Sequence, residues 1–183
     1  MTKILGLSGS LRRGSYNTAL LRAAHELAPE GVDLEVGSIA GIPLYDGDVE
    51  SEQGLPAAVT ALKEKIVAAD GLFLVTPEYN NSLPGVFKNA IDWLSRPPKD
   101  IPRVFGNKPV ALIGATPGAG GTRLSQAAWL PVLRTLGVRA WSGKQLYLAH
   151  AGQVFDAEGK LVDEKMRARL GDLVAGFAAF VRS

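Results

Sequence analysis

The stretches GLFLVT (Gly71–Thr76) and PVALIGA (Pro109–Ala115) are almost unbroken apolar runs, each followed by a loop and then by a longer segment with apolar residues at helical spacing. Runs so short and so uniformly apolar suit the central strands of a parallel sheet, whose side chains meet helices on both faces and water on neither. KILGLS (Lys3–Ser8) has the same character, and further strands are predicted at Asp33–Ser38 and near Gln145–Leu148. Helices are predicted over Asn17–Leu27, where Ala19, Leu20, Ala23 and Leu27 share a face, and from about Leu55 to Ala69, Pro84 to Leu94, Thr122 to Leu136 and Asp163 to Val181. A Gly/Pro/Asp-rich connection reaching about Gly54 separates the second strand from its helix. Five alternating strand-helix units predict an α/β three-layer sandwich around a five-stranded parallel sheet. With 183 residues, 46% of them apolar, the chain can bury one good core, so a single domain over residues 1–183 is expected.

What the chain lacks narrows its chemistry. It has no cysteine, which excludes disulfides and thiolate metal sites, and its two histidines, His25 and His150, stand alone. No metal is expected. Met1–Leu7 is too short for a signal-peptide core, and no apolar run approaches the about 18 residues of a membrane span, so a soluble, cytoplasmic protein without a membrane partner is expected. The formal charge of +2 is small, and the basic residues lack aromatic interleaving, which argues against a nucleic-acid partner.

In such sheets ligands bind beyond the carboxyl ends of the strands, where the strand order reverses. The expected order is the flavodoxin-like 2-1-3-4-5, although the alternation argues for five units more strongly than for that order. Three loops leave those ends: GSLRRGSYN (Gly9–Asn17) after the first strand, PEYNNSLPG (Pro77–Gly85) after the third and TPGAGGTR (Thr116–Arg123) after the fourth.

The first loop enters a helix, whose leading N–H groups are unpaired and carry the positive end of the helix dipole. Ser10 and Ser15 add hydroxyls, Arg12 a planar fork for phosphate oxygens, and Asn17 an amide at the helix start. Phosphate binding competes here with a plain capped turn carrying solvated arginines. Gly9 and Gly14 have P-loop separation, but Ser15 and Tyr16 stand where Lys and Ser/Thr are needed. Gly6, Gly9 and Gly14 do not fit G-x-G-x-x-G, and without cysteine a thiol phosphatase is excluded. These absences leave binding rather than phosphoryl chemistry. In the second loop Pro77 stops the strand, Glu78 to Asn81 present polar groups, and Ser82 with Pro84 reads as a helix start. The following helix has apolar residues enough for two faces, so Trp93 is either a core anchor or a subunit contact.

GSLRRGSYN, VTPEYNNSLPGVFKNAIDWLSR (Val75–Arg96) and IPLYDGDVE (Ile42–Glu50) together resemble the NADPH-dependent FMN reductases, in particular the bacterial flavodoxin-like quinone, azo and chromate reductases, over essentially the whole chain. The resemblance implies noncovalent FMN, with Ser10, Arg12, Ser15, Tyr16 and Asn17 around its phosphate and Pro77, Glu78, Tyr79, Asn80 and Ser82 along its ring. It also implies an enzyme that carries electrons from NADPH or NADH through FMN to quinones, azo compounds, chromate or free flavin, and a homodimer or homotetramer. The third loop departs from the family's Gly-x-x-Gly-Gly pattern and is one residue shorter. Thr116, Gly118, Gly120 and Gly121 are its candidates, because small residues let backbone N–H groups approach a flat ring; a surface turn is the alternative. With a flavin carrying the chemistry, no catalytic side chain is required. Arg103, in the basic segment Arg96–Lys108, and Arg123 are candidates for anionic substrates, against a reading as solvated charges. An FMN electron carrier without NAD(P)H oxidation is the competing function; such carriers are strongly acidic and this chain is not.

Overall fold

The computed structural model describes residues 1–183. β1 (Thr2–Ser8) leads through the first loop into α1 (Tyr16–Glu26), and β2 (Val32–Gly37) leads through α2 (Gly47–Gln53) into α3 (Ala57–Ala68). β3 (Gly71–Val75) is followed by α4 (Gly85–Leu94) and α5 (Ile101–Val104), and β4 (Pro109–Ala115) by α6 (Arg123–Thr135). The chain ends with β5 (Arg139–Ala140), β6 (Tyr147–Leu148) and α7 (Glu164–Arg182). All strand pairings are parallel and the order is β2-β1-β3-β4-β5, as the alternation and the resemblance led us to expect.

The apolar runs are central strands because both of their faces are buried. Phe73 and Val75 point into a core closed by α1 and α7, while Leu72 and Leu74 point into one closed by α3, α4 and α6. Ile4 and Leu5 divide in the same way on β1. Gly9 is required at the end of β1, because a Cβ there would run into the ring of Phe87 on α4. Helix starts follow capping chemistry: the Ser15 hydroxyl accepts from Thr18 N at 3.3 Å, and the Asp163 carboxylate from Met166 N at 2.7 Å. Trp93 resolves as a core anchor. It is fully buried, and its indole N–H donates to the Pro43 carbonyl at 3.0 Å.

Two elements differ from expectation. The strand predicted at Gln145–Leu148 is only the second half of a broken one: β5 pairs with Pro109 and Val110, the chain leaves the sheet, and β6 returns beside Gly114 and Ala115. The break falls where Trp141 turns inward to pack on Phe177, with Gly143 against its indole. In the Gly/Pro/Asp-rich connection, α2 forms with no buried residue of its own, started by the Asp46 carboxylate on Asp48 N at 2.9 Å. No helix is long and apolar enough to cross a membrane.

Candidate functional site

The first loop (Ser10 to Ser15), the second (Pro77 to Tyr79) and the start of the third (Thr116, Pro117) wall a cleft of about 720 Å³ at the carboxyl ends of β1, β3 and β4. Ser10, Arg12, Ser15, Tyr16, Asn17, Pro77, Glu78, Tyr79 and Thr116 line it together. Its charged end is the helix start. The backbone N–H groups of Arg13, Gly14, Tyr16 and Asn17 have no partner within the protein, and the Ser15 hydroxyl keeps its own proton to donate while it caps α1. Arg12 leans over the Tyr16 ring, 5.9 Å from its centroid, and Tyr16 stacks on Phe155. Arg12 pairs with no carboxylate, so its guanidinium is available to an anion.

Two side chains hold the three loops in register. Buried Asn17 donates its amide to the Ala115 carbonyl and accepts from the Ala115 N–H, both at 2.9 Å, which locks the start of α1 to the end of β4. Glu78 accepts from Leu124 N at 2.9 Å and Ser125 N at 3.0 Å, so its carboxylate closes the N-terminus of α6 and ties the second loop to the third. The end of β3 is fixed by Thr76, whose hydroxyl donates to the Pro77 carbonyl at 2.9 Å and accepts from the buried Trp129 indole at 3.0 Å.

The other candidates lie around the cleft rather than along its wall. Asn80 and Ser82 belong to a tight hairpin in which Tyr79 and Ser82 exchange both backbone hydrogen bonds at 3.1 Å. Asn80 and Asn81 make its tip with φ of 50° and 61°, a conformation asparagine tolerates. Gly118 and Gly120 are exposed on the third loop, whereas Gly121 is buried with φ 65°, and a Cβ there would strike the Tyr147 carbonyl. Thr122 follows with φ 63°, a strained value for a β-branched residue, and is held by the Gln126 amide at 3.0 Å. Arg123 lies over the Tyr147 ring at 5.5 Å. Arg103 is not brought to the cleft: it sits on α5, and its guanidinium pairs with Glu64 at 3.0 Å. Sequence reasoning passed over Arg13 and Arg22, and also the turn Asp156–Gly159, which forms the far wall. The Asp156 carboxylate there folds back onto Glu158 N and Lys160 N at 3.1 and 2.7 Å. The DAEG string marks that turn, but no local signal places it against α1.

IPLYDGDVE is a strap across α4. Pro43 O accepts from Asn89 and Trp93, Tyr45 N donates to Asn89 Oδ1 at 2.8 Å, and Arg96 holds Glu50 at 2.7 Å. The guanidinium keeps the Glu50 carboxyl below its ordinary range, and the hydrogen bond to Glu50 pushes the Tyr45 hydroxyl above its own.

Comparison with known proteins agrees with this geometry. Residues 2–153 match the model of the family described as NADPH-dependent FMN reductase. An NAD(P)H-dependent FMN reductase of Pseudomonas aeruginosa is 44% identical over 180 residues, covering 98% of this chain and 95% of that protein. A 2-hydroxy-1,4-benzoquinone reductase of a Burkholderia species is 41% identical, over 98% and 96%. Among solved structures, the flavoenzyme NAD(P)H:(acceptor) oxidoreductase FerB of Paracoccus denitrificans superposes with a TM-score of 0.88 at 32% identity, over 100% of this chain and 98% of that one. A capped helix start, a carboxylate-tethered second loop and a family match that spans all three loops lead to one conclusion: the chain belongs to the NADPH-dependent FMN reductase family.

Proposed function

We propose that the protein is an NAD(P)H-dependent oxidoreductase that holds FMN in the cleft and reduces quinones, with azo compounds, chromate and free flavin as further acceptors. The observation that carries this reading is the convergence of the Ser10–Asn17 donors with the second and third loops on one cleft. The donor set fits the cofactor. Unpaired N–H groups at a helix start, two serine hydroxyls and a free guanidinium match a phosphate, and about 720 Å³ is ample for a mononucleotide. Bound FMN supplies the redox chemistry, taking two electrons from NAD(P)H and passing them to the acceptor.

The chain's own residues bind and orient. Ser10, Arg12, Ser15 and the N–H groups ahead of Asn17 grip the phosphate, while Pro77 to Tyr79 and Thr116 flank the ring. Glu78 is a positioning residue, because its Oε2 accepts from two backbone donors of α6 and so ties the second loop to the third. Gly118 and Gly120 leave the third loop's backbone open to a flat ligand. The hairpin places Tyr79, 48% exposed, at the mouth, where a loosely fitting acceptor meets few specific contacts. A homodimer or homotetramer completes this reading, and the absence of a membrane-spanning helix is compatible with the cytoplasm.

Purified protein tests this directly. It should carry a flavin spectrum that NADPH or NADH alone bleaches without oxygen and that a benzoquinone restores; a spectrum neither nucleotide bleaches would make the protein an electron carrier. Arg12→Ala should weaken FMN affinity by about 10- to 100-fold, the loss of a charge-assisted phosphate contact. Unchanged FMN retention removes Arg12 from the phosphate site.

A further inference from the structure

Behind the second loop lies a buried hydrogen-bond chain whose polarity is fully determined. Thr76, at the end of β3, and Ser125 and Trp129, on α6, are wholly buried. The Thr76 hydroxyl meets the Pro77 carbonyl at 2.9 Å, the Trp129 indole nitrogen at 3.0 Å and the Ser125 hydroxyl at 3.0 Å. It owns one proton. An indole N–H only donates and a carbonyl only accepts, so that proton goes to Pro77, and the Ser125 hydroxyl donates into the remaining lone pair of Thr76. Two donors converge on Thr76 and one bond leaves it, an arrangement in which each bond strengthens the next. Both ends are anchored: Thr76 N donates to Ile113 O of β4 at 2.8 Å, and Ser125 N donates to Glu78 at 3.0 Å. The Pro77 carbonyl is thereby pinned inward. The Pro77–Glu78 peptide is trans, so its N–H points the opposite way, on the side where Pro77 and Glu78 wall the cleft. That N–H, of Glu78, has no partner within the protein.

We propose that Thr76, Ser125 and Trp129 are positioning residues that fix the polarity of this one peptide, so that the cleft presents a donor there and never a carbonyl, and that they thereby raise the reduction potential of the bound flavin. The inference rests on the function proposed above and adds to it which buried side chains tune the site. They act at a distance, since none of the three lines the cleft. A reduced isoalloxazine carries negative charge on its pyrimidine edge, where the oxidised ring is neutral. A hydrogen bond to a charged acceptor is roughly twice as strong as one to a neutral acceptor, so a fixed N–H favours the reduced ring, whereas a carbonyl in its place would repel it.

The test measures FMN affinity, the two-electron midpoint potential of the bound flavin and the urea midpoint for wild type, T76V, T76S and S125A. T76V keeps the size of the side chain and removes the hydroxyl. Its preference for reduced over oxidised FMN should fall about tenfold, which is a drop of about 30 mV for a two-electron couple. T76S, which keeps the hydroxyl, should hold the wild-type potential. S125A should shift it the same way by less, because Thr76 still donates to Pro77. Should T76V fail to fold, T76V/W129F, which also removes the indole N–H left without an acceptor, takes its place. An unchanged or raised potential in the variant without the hydroxyl overturns the proposal, even where its urea midpoint falls, because the chain then only supports the fold. So does T76S shifted as far as T76V, since packing and not the hydroxyl would then be responsible. Wild type that binds no FMN defeats the proposed function itself; wild type that binds FMN with a potential indifferent to Thr76 defeats only this inference.

Discussion

At the residue scale, the cleft depends on side chains that face the protein as much as on those that face the ligand. Asn17 was legible as a polar group at a helix start. Its bidentate bond to the Ala115 backbone was not, because the partner lies 98 positions away and presents only main-chain atoms. Removing the amide leaves a buried N–H and a buried carbonyl unpaired. Asn17→Ala should therefore lower stability by about 2–3 kcal/mol in urea titration and weaken FMN binding as well. An unchanged midpoint would mean that the first and third loops are aligned by something else. Glu78 carries the same lesson: PEYN announced a polar loop, but nothing in it announced that the carboxylate would end on α6.

At the scale of elements, periodicity found the five longer helices and missed the two short ones, α2 and the four-residue α5. α2 has no buried residue, so no hydrophobic spacing betrays it, and it is held instead by the Arg96–Glu50 pair. β5 and β6 are two residues each, too short for alternation to register. The segment after α4 read as either a basic rim for anionic substrates or solvated charges, yet it carries an internal anchor. Lys63 of α3, 2% exposed, donates to Asp100 at 2.7 Å and to the Arg96 carbonyl at 2.5 Å. The hydrogen bond from Lys63 holds the Asp100 carboxyl below its ordinary range, so its contribution is full above that range and is lost as pH falls through the lowered value. Asp100→Asn should lower the urea midpoint at neutral pH, with the gap to wild type closing in acid; a constant gap would mean that the charge of Asp100 is immaterial.

For the whole molecule, three loops separated by long stretches of chain meet at one end of a sheet whose alternating strand-helix units the sequence anticipated more firmly than its strand order. The three loops were legible one by one, from Gly, Pro and polar composition, but their common cleft follows from the topology. Because all three wall the same cleft, a ligand held there should stabilise the entire domain. FMN at about 100 times its dissociation constant should raise stability by about 2.7 kcal/mol, a melting shift of roughly 5–10 °C. Calorimetry of flavin-free protein with and without added FMN checks this; no shift would mean that FMN does not bind the folded state.

The two margins of the sheet carry a consequence of a different kind. On one side β5 and β6 are stubs of two residues, divided by the inward turn at Trp141. On the other, β2 exposes Asp33 and Glu35 on either side of its one buried residue, Leu34. Neither margin offers the long, flat, uncharged row of backbone groups that invites a foreign strand to add itself. The fold is thereby guarded against fibre-like growth from its own sheet, and when copies of this chain join they must do so through side chains.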